Sequence, residues 1–300
     1  MTPDFNEFDL QPQLVRTIAD IGYAAPTPIQ STVIPAMLAG QDVIGQSQTG
    51  SGKTAAFSLP ILNNLQTGQR YVQSLVVTPT RELAIQVADA MVTYGRQTGV
   101  RVLAVYGGQP YDRQISRLKK GMDVVVGTPG RLLDLIRKNV LELERVATVV
   151  LDEADEMLSM GFLADIEAIL DQTASSRQTA LFSATLPQRI LRLAERYMNA
   201  PQSFKIGCEQ LAVETVEQRY YLVDETDKTA ALTRLFEIEP VTSALIFART
   251  RLGTAELVNE LAQRGFPAEA LNGDMSQDAR VQVLNRFRAN KLKVLVATDV

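Results

Sequence analysis

Histidine is absent from this 300-residue chain, and cysteine occurs once, at Cys208. The first absence excludes a histidine-based metal site and any triad that needs an imidazole base. The second excludes an intramolecular disulfide framework. No apolar run approaches the roughly 18 to 20 residues that a membrane span requires. Residues 1–8 carry acids where a secretory signal would carry basic residues leading into an apolar core, so the cytoplasm is the expected compartment. Charge of one sign does not dominate either. A net charge of −4 neither announces nor forbids a nucleic-acid partner, because a basic groove can sit on an acidic body. What remains is an ordinary composition, 46% hydrophobic and 21% charged, in a length suited to about two domains.

The most informative stretch is Ser47-Gln48-Thr49-Gly50-Ser51-Gly52-Lys53-Thr54. It follows the apolar run 42–45 and leads into 55–59, which reads as a helix start. Strand, glycine-rich turn and helix is the context of a phosphate-binding loop. Glycines let successive N–H groups curl inward around an anion, and the helix N-terminus adds unpaired donors. Lys53 is expected to reach the β- and γ-phosphates of a nucleotide, and the Thr54 hydroxyl to sit on Mg²⁺. The pattern usually opens on Gly; here Ser47 stands there, small enough for the turn.

A second stretch, Val149-Val150-Leu151-Asp152-Glu153-Ala154-Asp155, is a hydrophobic strand ending in acids. Asp152 suits the metal-holding role of an acid on a neighbouring strand, and Glu153 suits orienting and deprotonating an attacking water. The bland alternative is a surface acid cluster capping the next helix.

Elsewhere, Leu14, Ile18 and Ile21 mark an amphipathic segment, and Pro26 and Pro28 fix a turn before another helix. The Gln30 amide can donate and accept side by side, which suits the edge of adenine, although taken alone it reads better as a helix cap. Strands are expected at 74–78, 100–105, 123–126, 146–151 and 178–182, alternating with helices. The helices are expected at 81–97, around Ile115, at 131–138, from near Phe162, and at 187–198. Such continuous Val/Ile/Leu runs predict an α/β fold with a parallel sheet buried on both faces and ligands at the strands' carboxyl ends. Residues 207–215 lack a period and read as a linker between a domain over 1–206 and a second α/β series over 216–300. In that series strands are expected at 217–223, 244–247, 268–271 and 293–297. The chain then stops without a covering helix, so a truncated second domain is expected.

Asp152-Glu153-Ala154-Asp155 are the letters that name the DEAD-box RNA helicases, and other stretches resemble that family's motifs in order along nearly the whole chain. Residues 22–30 resemble the Q motif, which implies adenine selection through Thr27 and Gln30, with stacking on the upstream Phe5. Residues 47–54 resemble motif I, where Ala is usual in the place of Ser47. Pro79-Thr80-Arg81-Glu82-Leu83-Ala84 resembles motif Ia, Gly107-Gly108 the GG motif, and Thr128-Pro129-Gly130-Arg131 motif Ib. The resemblance implies RNA-backbone contacts from all three. Ser183-Ala184-Thr185 resembles motif III, implied to tie ATP chemistry to strand separation through Asp155. Residues 246–251 resemble motif IV, with Thr250 and Arg251 as implied RNA contacts. Gly273-Asp274-Met275-Ser276-Gln277 with Arg280 resembles the segment before motif V, and Ala297-Thr298-Asp299-Val300 its opening; Gly273, Asp274 and Thr298 are implied RNA contacts there.

The resemblance implies RecA-like domains, the second incomplete, and an RNA helicase that uses ATP and Mg²⁺. Amides, small hydroxyls and arginines grip phosphates without reading bases, so RNA binding with little sequence preference is expected. Contacts near 2′-hydroxyls would favour RNA over DNA. Without the family context, Arg81 and Arg131 read equally well as helix-terminal ion-pair partners. Residues 106–111 and 270–274 resemble the bacterial cold-shock and ribosome-assembly helicases of the DeaD type, which implies ribosomal or mRNA-decay ribonucleoproteins as partners. The implied mechanism closes two lobes on ATP and RNA, bends one strand so that a few base pairs open, and releases on hydrolysis. The family's motif VI, with its arginine fingers, is not in this sequence. Such fingers are worth roughly 10³ to 10⁵ in rate, so a nearly inactive fragment is expected. Two other readings stay open: an ATP-gated RNA clamp, and a DNA-directed P-loop translocase, against which the Q-motif resemblance argues.

Overall fold

The computed structural model describes residues 4–207 and 216–298. Cys208, the linker read from 208 onward, Asp299 and Val300 lie outside the described residues, as does the side chain of Gln277. By its contacts the chain divides into two compact units, 1–213 and 214–300.

In the first unit, β1 (Val43–Ser47), β2 (Ser74–Val77), β3 (Val102–Val105), β4 (Val124–Gly127), β5 (Thr148–Leu151), β6 (Gln178–Ser183) and β7 (Gln202–Ile206) form one parallel sheet. Their spatial order is β3-β4-β2-β5-β6-β1-β7. Successive side chains point to opposite faces of each strand. Val76 and Val150 therefore enter one core with Ile34 and Phe57, while Leu75, Val77, Val149 and Leu151 enter another with Leu132 and Ile169. The first core is covered by α1 (Pro12–Asp20), α2 (Pro28–Leu38), α3 (Lys53–Asn64) and α4 (Arg81–Tyr94). The second is covered by α5 (Tyr111–Lys119), α6 (Pro129–Arg137), α7 (Ala154–Ser159), α8 (Leu163–Leu170) and α9 (Gln188–Tyr197). Both faces being covered, the central strands are predominantly apolar, as their sequences predict.

Two elements of this unit escape the sequence reading. Helix α7 begins directly after the acids, well before the helix expected near Phe162. Strand β7 lies at the sheet edge, paired only with β1, and its side chains are mostly exposed, so it carries no apolar run to reveal it.

The second unit holds a parallel sheet of order β8-β10-β9, with β8 (Ala244–Phe247), β9 (Ala268–Leu271) and β10 (Val294–Ala297). Helices α10 (Lys228–Ile238), α11 (Arg251–Gln263) and α12 (Gln277–Arg288) accompany it. The strand expected at 217–223 is not formed, which leaves three strands among the described residues where the sequence reading has four. Tyr220 is 87% exposed and Leu222 92% exposed, so the apolar residues of that stretch meet no core. An apolar run becomes a strand only with a neighbour to pair against.

Candidate active site

Apart from Phe5 and residues 22–30, which precede β1, the site segments of the first unit all leave a strand at the same edge of the sheet. The hydrogen-bond ladder runs on into these segments: Asp152 N–H donates to Val77 O (2.9 Å), Thr78 N–H to Gly127 O (2.9 Å) and Thr128 N–H to Val105 O (3.0 Å). Spatial order then sorts them. Gly107-Gly108, Thr128-Pro129-Gly130-Arg131 and Pro79-Thr80-Arg81 follow β3, β4 and β2 on one half of the edge. The acids, Ser183-Ala184-Thr185 and the glycine-rich loop follow β5, β6 and β1 on the other. Segments expected to hold nucleic acid thus adjoin those expected to hold a nucleotide, with the border between β2 and β5.

The glycine-rich loop turns through Gly50 (φ +79°) and Gly52 (φ +97°), and α3 starts at Lys53. Ser47, the departure from the usual pattern, is buried and its hydroxyl meets that of Ser51 at 2.9 Å, bracing the loop across its base. Gln30 is buried against the same loop. Its Nε2 donates to Gly52 O (3.1 Å), and its Oε1 accepts from Thr27 N–H (2.9 Å). The amide therefore caps α2 and clasps the loop at once. A Cβ on Gly52 would come within 2.5 Å of Gln30 Nε2. Lys53 is buried, with its Nζ donating to Ser47 O (3.1 Å).

Asp152 stands just past β5, 3% exposed. Burial pushes its carboxyl up to about 6; Lys53 opposes the shift, and Glu153 and Asp155 add to it. Glu153 is also raised, mainly by burial. Its backbone is left-handed (φ 53°), a sparsely populated conformation for a residue with a side chain, and its N–H donates to Asp152 Oδ1 (3.1 Å). Asp155 behaves oppositely. Burial raises its carboxyl, but hydrogen bonding from Ser183 and Thr185 carries it below the ordinary value. Its Oδ2 accepts from the Thr185 N–H and hydroxyl, both at 2.8 Å, while its N–H donates to Ser183 Oγ (3.2 Å). Gln46 Nε2 donates to Ala184 O (3.1 Å), linking β1 to the same turn.

Lys53, Thr54, Asp152 and Glu153 share a cleft of about 380 Å³. Its residues fit a magnesium-bound nucleotide: an amide-lined turn, a buried ammonium, and hard oxygen donors from Thr54 and Asp152. Among the described residues no three His, Cys, Asp or Glu side chains converge on a metal position. A cation here would draw further oxygens from phosphate and water, the usual way Mg²⁺ is held. Phe5 is not brought into this cleft. It is buried, edge-on to Phe8 (5.9 Å) and tilted against Tyr23 (6.3 Å), and it lines a neighbouring groove of about 400 Å³.

On the other half of the edge, Pro79 is buried, and Thr80 caps α4 by accepting from Leu83 N–H (3.2 Å). The Arg81 guanidinium lies against Gly108, where any side chain would collide with it. Gly108 and Gly130 are exposed, and Thr128 is partly so. Arg131 differs: it is 8% exposed, both terminal nitrogens donate to Gln109 O (3.1 Å), and Nη1 donates to Gln114 Oε1 (3.1 Å). Its guanidinium also covers the Tyr111 ring at 4.0 Å. Arg131 thus braces the turn that follows Gly107-Gly108. Sequence reasoning missed Gln109, Tyr111 and Gln114 in this brace, because glutamines in a turn or on a helix are ordinarily solvated and carry no signal. Gln46 did carry one, as a polar residue interrupting an apolar strand.

In the second unit the implied contacts also gather at the carboxyl ends of their strands. Thr250 caps α11 by accepting from Gly253 N–H (3.0 Å), and Arg251 pairs with Asp274 (2.8 Å) alongside Gly273. Thr298 is buried, its N–H donating to Leu271 O (3.3 Å).

Residues 27–193 match the family described as DEAD/DEAH box helicase, and residues 227–300 match the helicase conserved C-terminal domain. The chain is 48% identical over 296 residues to the DEAD-box ATP-dependent RNA helicase CshA of Streptococcus pneumoniae serotype 4, covering 99% of this chain and 56% of the relative. To CshA of Geobacillus kaustophilus it is 49% identical, covering 99% of this chain and 63% of the relative. The chain therefore spans under two thirds of the length of these curated relatives. Among solved structures, a DEAD box protein from the hyperthermophile Methanococcus jannaschii aligns with TM-score 0.67 and 39% identity over 99% of this chain and 80% of that one. Saccharomyces cerevisiae Dbp5 bound to RNA and ADP BeF3 aligns with TM-score 0.89 and 30% identity over 98% and 75%. A family match across more than half of the residues, and relatives nearly half identical along almost the whole length, lead to one conclusion: the chain belongs to the DEAD/DEAH box helicase family.

Proposed function

We propose that the whole protein is an ATP-dependent RNA helicase, an RNA-stimulated ATPase that opens short duplex stretches without travelling along them. One observation supports this most. The phosphate loop with its acids and the capped, glycine-bearing turns share one sheet edge and meet between β2 and β5.

In this reading the loop amides and Lys53 bind nucleotide phosphates, and Gln30 holds the loop in place through Gly52 O. Thr54 and Asp152 would hold Mg²⁺, which neutralises phosphate charge when bound. Glu153 accepts a proton from the attacking water; a carboxyl raised by burial suits a general base working near neutral pH. Asp155 positions the turn of Thr185 and leaves the proton chemistry to Glu153. Thr80, Arg81, Gly108, Thr128 and Gly130 offer backbone, hydroxyl and guanidinium groups to phosphates, which supports binding with little sequence preference. Arg131 contributes by holding their turn. Ribosomal or mRNA-decay ribonucleoproteins as partners, and the cytoplasm as compartment, belong to the same proposal.

The test is ATP turnover by the full-length protein with single-stranded RNA, single-stranded DNA or neither. RNA should stimulate it well beyond DNA, and Glu153→Gln should lower it by about 10²-fold or more. Binding without turnover would replace the helicase by a clamp, and equal stimulation by DNA would replace it by a DNA translocase.

A further inference from the structure

One wall of the cleft that holds Lys53 and Asp152 is made of two tyrosines. Tyr23 and Tyr94 both line it, and their hydroxyls meet at 2.9 Å across 71 positions of sequence. Tyr23 stands in the turn before α2, and its ring also packs on Phe5. It lines the neighbouring 400 Å³ groove as well, so this one ring is the partition between cleft and groove. Tyr94 closes α4 and is 6% exposed. Leu83, Gln86 and Ala90 precede it at helical spacing and line the same cleft, which makes a whole face of α4 part of the wall.

A turn residue with an aromatic side chain has two torsions to lose: here the hydroxyl of a buried helix residue holds the phenol oxygen in place, and the rings of Phe5 and Tyr94 pack against the Tyr23 ring. When two phenols share a hydrogen bond, one donates and the other keeps its proton for a third partner. Burial and the Tyr23 hydroxyl hold the Tyr94 phenol protonated well above its ordinary range. The wall is thus an aromatic surface with a hydroxyl at its tip, set beside Phe5, and such a surface suits the sugar and base side of a nucleotide.

We propose that Tyr94 is a positioning residue for the nucleotide: by holding Tyr23 upright between cleft and groove, it gives the sugar and base a fixed wall while the loop holds the phosphates. This rests on the ATP reading above. The test compares the full-length protein with Tyr94→Phe, Tyr23→Phe, the double variant and Lys53→Ala. Calorimetry reads affinity for Mg·ADP and for inorganic tripolyphosphate, which lacks sugar and base. Tyr94→Phe should weaken ADP binding roughly three- to tenfold, the effect of one hydrogen bond, and leave tripolyphosphate binding unchanged. Tyr23→Phe should do the same, and the double variant should be no worse than either, because the two act as one pair. Unchanged ADP affinity, equal weakening of both ligands, or additive losses would each overturn the inference, whereas loss of both ligands in Lys53→Ala leaves the ATP reading standing. Failure of the wild-type protein to bind either ligand would remove that reading and this inference with it.

Discussion

Asp155 and Thr185 are joined twice: one carboxylate oxygen accepts from both the backbone N–H and the hydroxyl of the threonine, each at 2.8 Å. The bonds tie the end of β5 to the end of β6. A carboxyl held below its ordinary 3.8 adds stability at pH values above 3.8, and that stability is lost as pH falls through the folded value. Between pH 5 and 8 the clasp is therefore insensitive to pH. Thr185→Ala should lower the thermal midpoint at pH 7 by a few degrees, with the gap to wild type closing below about pH 4. A gap of the same size across that range would show that the carboxylate is not the partner that matters.

Asp152 has the opposite sign. Its folded carboxyl is near 6 against an ordinary 3.8, so the metal-free fold loses stability as pH rises through that interval and stays level above it. Asp152→Asn removes the buried charge and keeps an acceptor for Glu153 N–H. In EDTA the variant should be more stable than wild type at pH 7.5, by on the order of 3 kcal/mol, and indistinguishable from it near pH 4. Denaturant midpoints at both pH values measure this; equal midpoints at pH 7.5 would refute it. An acid that weakens the protein carrying it is what a cation-holding site requires.

Gly52 and Gly50 separate backbone strain from collision. Both have left-handed backbones, but a Cβ on Gly50 meets nothing within 4 Å, whereas one on Gly52 collides with Gln30. Gly50→Ala should cost about 1 kcal/mol. Gly52→Ala should cost about 1 to 3 kcal/mol and weaken tripolyphosphate binding at least tenfold, because it also displaces the Gln30 clasp. Chemical denaturation together with phosphate titration distinguishes the two.

Arg131→Lys tests the brace. A single ammonium cannot serve both Gln109 O and Gln114, nor lie flat on Tyr111. RNA affinity should fall alike for all sequences, while the slope of log affinity against log salt stays the same. Were Arg131 instead a direct phosphate contact, the slope would drop by about one.

Much of this was legible from local chemistry. Gly50, Gly52 and Lys53 predict a tight turn from strand into helix, which β1 and α3 supply, and Val149-Val150-Leu151 announces a buried strand that delivers Asp152 to its end. What could not be read was long-range. β2 lies beside β5 because crossovers route the chain there, and no residue between them encodes that adjacency locally. Arg131 carries the same letters whether it faces solvent or Gln114, and only packing decides. The stretch 217–223 shows the reverse error, since Tyr220, Tyr221 and Leu222 have strand propensity without a partner strand.

The hydrogen bond from Asp152 N–H to Val77 O has a mechanical meaning. Under the proposed function, the peptide of Asp152, the acid assigned to the metal, hangs directly on the strand whose next residues, Thr78 to Arg81, open the side assigned to nucleic acid. In that reading the two sites are separated by a single inter-strand gap, about 4.8 Å. Within the proposed function, any coupling between the two sites has this one hydrogen-bonded pair of strands as its shortest path.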